Sequence, residues 1–212
     1  MTSFLTPHCA DALLFDLGRV VLDVDVTRAL ACWAAHANAA PAQIAARFRQ
    51  EHHYQQHEIG AIDASAYFAT LRHSLGIDIT DEQFLEGWNA VIVGEMPGID
   101  ALLAAAARHL PLYAFSNTNV AHAASFSAPF AKLLSHFQTV FLSSSIGLRK
   151  PDAAAYDHVV RAIGVPAARI VFFDDSNENI AGARASGLKT VHVRTPRDVA
   201  EALAALGLVE TK

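Results

Sequence analysis

The stretch Leu13-Leu14-Phe15-Asp16-Leu17-Gly18 constrains the fold more than any other in the chain. A short apolar run bounded by polar residues reads as a strand buried on both faces, and such strands belong to parallel sheets flanked by helices. An ionisable Asp at its carboxyl end falls where open α/β sheets bind ligands, just beyond the strand ends. Gly18 lets the backbone turn sharply there and approach whatever Asp16 holds. The pattern recurs along the chain. Leu112 to Phe115 ends on Ser116 and Asn117, Thr139 to Leu142 is a third apolar run, Ile170 to Phe173 closes on Asp174 and Asp175, and Thr190 to Val193 is a fifth. Helical stretches alternate with these runs: Asp100 to His109, Pro151 to Ile163 with Pro at its first position and Gly164 as its stop, a segment capped by Ser176, and a last helix opened by Pro196. Together they predict an α/β fold, a doubly wound parallel five-stranded Rossmann-like core with right-handed crossovers.

Between the first and second of these strands the rhythm changes. Leu22 to Val26 alternates apolar and acidic residues, which predicts a short exposed hairpin, and Thr27 to His36 and Pro41 to Arg49 read as amphipathic helices. Asp63 caps a further helix through Leu75 that stops at Gly76, and Thr80 with Gln83 has capping-box spacing for another through about Ile92. The stretch 27–94 thus predicts a small all-helical cap domain inserted after the first strand, with residues 1–26 and 95–212 forming the core domain. Trp33, Phe48, Tyr67 and Trp88 sit at positions expected to form its interior or to line a cleft.

Composition narrows the function classes. With 52% hydrophobic and 17% charged residues, a chain of 212 residues can build one sizeable domain and a satellite. The net charge of -5 offers no basic stripe for a phosphate backbone, which argues against nucleic acid as a partner. Mean hydropathy of +0.24 comes largely from alanine, and the run 101–107 ends at Arg108, far short of a bilayer span. Two cysteines and an amino terminus without signal-peptide pattern point to a reducing cytoplasm. Nothing in the sequence marks an interface, so the oligomeric state stays open.

The residues that close the strands carry the chemistry. Asp16, Ser116, Asn117, Lys150, Asp174 and Asp175 all fall at or soon after carboxyl ends, so the predicted topology gathers them at one edge of the sheet. Three carboxylates brought together repel one another strongly, and a hard divalent cation relieves them; an oxygen-only ligand set selects Mg²⁺. A carboxylate nucleophile beside a lysine and a hydroxyl leaves room for one more oxyanion, and phosphate fits. Asp16 would then attack phosphorus in line to give an aspartyl-phosphate that water removes.

Four ordered motifs, Phe15-Asp16-Leu17-Gly18, Phe115-Ser116-Asn117, Lys150-Pro151 and Phe172-Phe173-Asp174-Asp175, resemble those of the haloacid dehalogenase-like hydrolase superfamily, whose fold is a Rossmann-like core with a mobile cap. The longer runs from Phe15 to Asp25 and from Gly147 to Pro151 resemble more closely its bacterial α-D-glucose-1-phosphate phosphatase branch, as does the cap stretch His57 to Ile62. The resemblance implies Asp16 as nucleophile and Mg²⁺ held by Asp16, the Gly18 carbonyl and the acidic pair Asp174 and Asp175. It also implies Ser116 and Asn117 on the phosphoryl group, and Lys150 between phosphate and nucleophile. The implied reaction is a Mg²⁺-dependent phosphomonoesterase acting on a small phosphorylated metabolite, a sugar phosphate such as glucose 1-phosphate.

One departure stands out. Phosphatases of the superfamily usually carry a second Asp two residues after the nucleophile to protonate the leaving oxygen, and here that place is Gly18; such general acid help is worth ~10²–10⁴ in rate. Two routes around the gap are an acidic leaving group, such as an anomeric oxygen, or a substitute donor from the cap at His53, His57 or Glu58. A metal-independent 2-haloacid dehalogenase, using the same nucleophile on carbon, and a non-catalytic binding protein on the same fold are the alternatives. The acidic pair at 174 and 175 favours metal over the former.

Overall fold

The structure, a computed structural model, describes residues 5–49 and 52–210. In chain order the elements are β1 (Ala12–Phe15), β2 (Leu22–Val24), α1 (Val26–His36), α2 (Pro41–Arg47), α3 (His52–Glu58), α4 (Ala64–Leu75), α5 (Asp81–Asn89) and β3 (Ile92–Glu95). There follow α6 (Ile99–Ala106), β4 (Leu112–Ser116), α7 (Val120–Ser127), α8 (Ala131–Leu134), β5 (Thr139–Leu142), α9 (Ser143–Ile146) and α10 (Ala153–Ile163). The chain ends with β6 (Ile170–Asp174), α11 (Asn177–Ala185), β7 (Lys189–His192) and α12 (Pro196–Ala205).

Five strands form one parallel sheet in the order β5-β4-β1-β6-β7. The chain begins in the middle, winds out one way through β4 and β5, then returns past β1 to build β6 and β7. Strand order therefore reverses next to β1, and the carboxyl ends of β4, β1 and β6 stand side by side at the switch point. Register aligns Phe15 with Phe173 and with Ala114, which sets Asp16 beside Asp174.

Both faces of the sheet are covered, as the apolar runs require. Leu13, Phe15, Val171 and Phe173 pack with α6 and α12 on one side, whereas Ala12, Leu14, Phe115 and Phe172 pack with α10 and α11 on the other. Phe15 and Phe173 stack at 4.4 Å between ring centres. A third apolar cluster, built on Trp33, Tyr67, Phe68, Phe84 and Trp88, belongs to α1–α5.

Several local signals act as the sequence predicts. Asp63 caps α4 and Gly76 ends it in the left-handed conformation (φ 65°), Thr80 and Gln83 form the capping box of α5, and Ser176 caps α11. Others do not. Leu22 to Val24 forms no local hairpin: it pairs antiparallel with Ile92 to Glu95, and α5 stops at Asn89 to make room for that second strand. A four-residue strand reading Ile-Val-Gly-Glu carries too little alternation to be recognised without its distant partner. Pro151 lies outside α10, which starts at Ala153 after Asp152.

Candidate active site

The site is assembled by the ends of the strands. Asp16 directly follows β1 and its amide donates to the Phe173 carbonyl at 2.8 Å, so β6 holds it in place. Asp174 is the last residue of β6 and is fully buried. Lys150 is fully buried too, with Nζ 3.0 Å from Asp16 Oδ1 and 2.7 Å from Asp174 Oδ2. Its ammonium also lies 5.3 Å from the centres of the Phe115 and Phe172 rings, one from β4 and one from β6. A buried cation is tolerated only when paired, and here two carboxylates and two ring faces share it.

The Asp174 carboxylate is saturated. Besides Lys150 it accepts from the Ser176 amide at 2.8 Å and from the Asn179 side chain at 3.1 Å, which locks its orientation. Asp175 is half-buried and its charged neighbour is the exposed Arg19, 3.5 Å away. Oxygens of Asp16, Asp174 and Asp175 lie within 4.8 Å of one another. Burial, with the repulsion of Asp174 added, pushes the Asp16 carboxyl up to about 7 against the pull of Lys150. Burial likewise raises Asp175, again reinforced by Asp174. Lys150 is lowered by burial but more strongly raised by Asp16 and Asp174, so it stays a cation.

Two carboxylates whose ionisation is opposed by burial and by Asp174 fit a divalent cation. The Gly18 carbonyl fits the same purpose, since no hydrogen bond among the described residues ends on it. A Cβ at Gly18 would meet only Val24 Cγ2, at the ordinary distance of 3.7 Å, so packing does not exclude a side chain there.

Ser116 ends β4, buried at the floor of a cavity of about 170 Å³ that opens from Asp16. Asn117 also borders this cavity, but its side-chain amide is committed to the Lys150 main chain: Nδ2 donates to the Lys150 carbonyl at 2.8 Å and Oδ1 accepts from its amide at 2.9 Å. Asn117 therefore positions the lysine. The Thr118 amide donates to the Ser143 hydroxyl, which reaches the Glu58 carbonyl at 2.7 Å and ties α3 to the core.

The three residues expected to supply a substitute acid do not line this cavity. His53 is exposed. His57 is buried in the aromatic cluster, stacked on Tyr67 at 4.8 Å, and burial lowers its basicity. Glu58 is buried in an ion pair with Arg149, with Nε and Nη2 both 2.9 Å from Oε2. One residue on from His53, Tyr54 does line the cavity, and burial, with the Glu58 charge added, holds its hydroxyl well above the ordinary range. The i, i+4 spacing of His53 and His57 correctly places both on one face of α3, but the face turned toward the cavity belongs to Tyr54.

His122, on α7, lines the cavity and carried no sequence signal. Its ring nitrogens are both spoken for. Nε2 lies 2.7 Å from the Trp88 carbonyl, so it must carry the proton and donate. Nδ1 lies 3.3 Å from Asn119 Nδ2, whose amide oxygen already accepts from the His122 backbone, so Nδ1 must accept. This arrangement requires neutral imidazole, and burial accordingly lowers the ring to about 4.

The chain is 24% identical over 187 residues to the D-ribitol-5-phosphate phosphatase of Bacteroides thetaiotaomicron, covering 84% of this chain and 89% of that protein. It is 30% identical over 139 residues, 64% of each chain, to a phosphatase of Mycobacterium tuberculosis. Shorter matches cover less than a third of the relative: 40% identity over 57 residues spans 29% of a sesquiterpene phosphatase of Aspergillus oryzae, and 38% over 55 residues spans 10% of a drimenol cyclase of Aspergillus calidoustus. Among solved structures, a haloacid dehalogenase family enzyme of Bacteroides thetaiotaomicron, in complex with magnesium and inorganic phosphate, superposes with a TM-score of 0.75 at 24% identity, covering 88% of this chain and 95% of that one. L-2-haloacid dehalogenase of Xanthobacter autotrophicus shares the fold at a TM-score of 0.66 and 21% identity. The family model for haloacid dehalogenase-like hydrolases matches residues 10–187, and the chain belongs to that family.

Proposed function

We propose that this hydrolase is a Mg²⁺-dependent phosphomonoesterase of small metabolites that works through an aspartyl-phosphate on Asp16. One observation carries the reading: a fully buried lysine bridges Asp16 and Asp174 while a third carboxylate, Asp175, stands within reach at the switch point of the sheet. A haloacid dehalogenase reaction at carbon needs no such surplus of negative charge.

Asp16, the Gly18 carbonyl and Asp175 would hold the cation, with Asp174 supporting through its fixed charge; when bound, Mg²⁺ supplies charge neutralisation for the carboxylates and the phosphoryl oxygens. Lys150 draws Asp16 toward its ionised form and orients it, and its charge faces the same place as the incoming phosphate. Ser116 offers a hydroxyl to a phosphoryl oxygen. The helical unit over 27–94 acts as a cap that excludes bulk water from the reacting atoms. The motif resemblance supports a sugar phosphate such as glucose 1-phosphate; the cavity lining points elsewhere, as argued below.

The test is phosphate release from a panel of phosphate monoesters, with Mg²⁺ and with EDTA, for wild type and Asp16→Asn. Turnover should require metal and fall by about 10⁴-fold or more in the variant, as when a nucleophile is removed from other hydrolases. Full activity in EDTA would exclude the metal, and full activity in Asp16→Asn would exclude the nucleophile. A folded wild type that binds Mg²⁺ and releases nothing would favour a binding protein on this fold.

A further inference from the structure

The cavity above Asp16 has a polar floor and apolar walls. Asp16, Ser116, Asn117 and Thr118 lie at the floor. Trp33, Phe48, Tyr54, Trp88 and Phe126 supply aromatic walls, and the β2–β3 ribbon adds aliphatic side chains such as Val24. Few polar atoms of these walls remain for a ligand. Trp33 Nε1 donates to the Phe84 carbonyl at 3.0 Å and both nitrogens of His122 are taken, which leaves the Tyr54 hydroxyl and Trp88 Nε1, the latter buried without a partner. A sugar carries a hydroxyl on nearly every carbon, and burying each without a partner costs about 1–3 kcal/mol. At about 170 Å³ the cavity is close in size to one that takes a benzene ring.

A second observation concerns protons. Among the described residues that line the cavity, the titratable ones are Asp16, Tyr54 and His122. Asp16 is the nucleophile, burial and the Glu58 charge hold the Tyr54 hydroxyl well above its ordinary range so that it keeps its proton, and His122 donates its one proton to Trp88. Gly18 supplies nothing. An ester whose alcohol needs a proton in order to leave would find no donor among them.

We propose, on the footing of the phosphatase reading above, that the substrate is the phosphate monoester of a phenol-type hydroxyl on an apolar aromatic ring. The ring fills the aromatic walls while the phosphate sits on the polar floor. An Asp16 carboxylate oxygen forms a bond to phosphorus as the bond from phosphorus to the aryl oxygen breaks, and the electron pair departs with that oxygen as phenolate. Water then attacks the aspartyl-phosphate, releasing dihydrogen phosphate and restoring the carboxylate; one proton passes from that phosphate to the phenolate in solution. No acid is needed in the site, because a phenol has a pKa of about 10, as for tyrosine, and leaves unprotonated far more readily than an alkanol.

Four probes separate ring from leaving group: phenyl phosphate, benzyl phosphate, glucose 1-phosphate and glucose 6-phosphate, assayed for kcat and KM with Mg²⁺. Phenyl and benzyl phosphate should share a low KM, about tenfold or more below either glucose phosphate, from burial of the ring. Their kcat/KM values should differ by ~10²–10⁴ in favour of phenyl, the contribution a general acid would otherwise make. Equal kcat/KM for phenyl and benzyl phosphate would overturn the proposal by revealing a proton donor, as would a glucose phosphate KM at or below that of phenyl phosphate. Either result leaves the phosphatase reading standing. Release from none of the four, nor from the more activated 4-nitrophenyl phosphate, would remove the phosphatase reading and this proposal with it.

Discussion

His122 is neutral because its neighbours leave it no second proton to place: Trp88 takes one from Nε2 and Asn119 gives one to Nδ1. Protonation in the native state would put two donors against each other in a buried pocket, which is why the ring is lowered to about 4 from the ordinary 6.5. Between those two values the unfolded chain binds a proton that the native chain refuses, so stability is complete above about pH 6.5 and is lost as pH falls toward 4. The loss is on the order of 3 kcal/mol for this residue, and His57, lowered in the same direction by burial, adds to it. His122→Gln, whose amide can still donate to Trp88, should flatten that part of the profile in urea unfolding measured from pH 7 to 4.5; an unchanged slope would exclude His122 as its source. Asp16, Ser116 and Asp174 were legible in the sequence because each closes an apolar run, and Lys150 through its place among the ordered motifs. His122 was not, since a histidine inside a helix of alanines and serines shows no sign of what its ring will touch.

At the scale of elements, the crossing of α1 and α5 shapes the cavity. Gly87 makes it close: a Cβ there would lie 2.4 Å from Trp33 Nε1 and 3.2 Å from the Ala29 carbonyl. Trp33 cannot swing aside, because its N–H is bonded to Phe84 and its ring stacks on Trp88 at 5.8 Å. Gly87→Ala should therefore destabilise by about 1–3 kcal/mol through overpacking, whereas Gly94→Ala on β3, with open space at its Cβ, should change stability little. Urea midpoints of the two variants give the comparison, and equal midpoints would mean that the helices part without strain. The helices themselves were readable from caps and periodicity. Strand β3 was not, because its pairing with β2 spans some seventy intervening residues and leaves no local trace.

For the whole molecule, the site ties separate parts of the chain together. Its carboxylates come from β1 and β6, its lysine from the turn after α9, and its wall from α1, α3 and α5. A cation held at Asp16 and Asp175 binds only the folded arrangement, so Mg²⁺ at 100 times its Kd should stabilise the chain by about 2.7 kcal/mol, visible as a higher urea midpoint than in EDTA. Asp175→Asn should shrink that difference; an undiminished shift would place the cation elsewhere. What the sequence determined alone was the class of fold and the order of chemical groups, because strand burial, helix caps and terminal residues are written in short, local patterns. Which side chains face the substrate was decided only by tertiary structure. The 100° step between neighbours on α3 turns Tyr54 inward and His53 outward, and the packing of α1 on α5 buries Trp33 and Trp88 in the aromatic cluster while setting both along the cavity. Such contacts depend on the mutual rotation of elements far apart in the chain, and no local stretch carries that information.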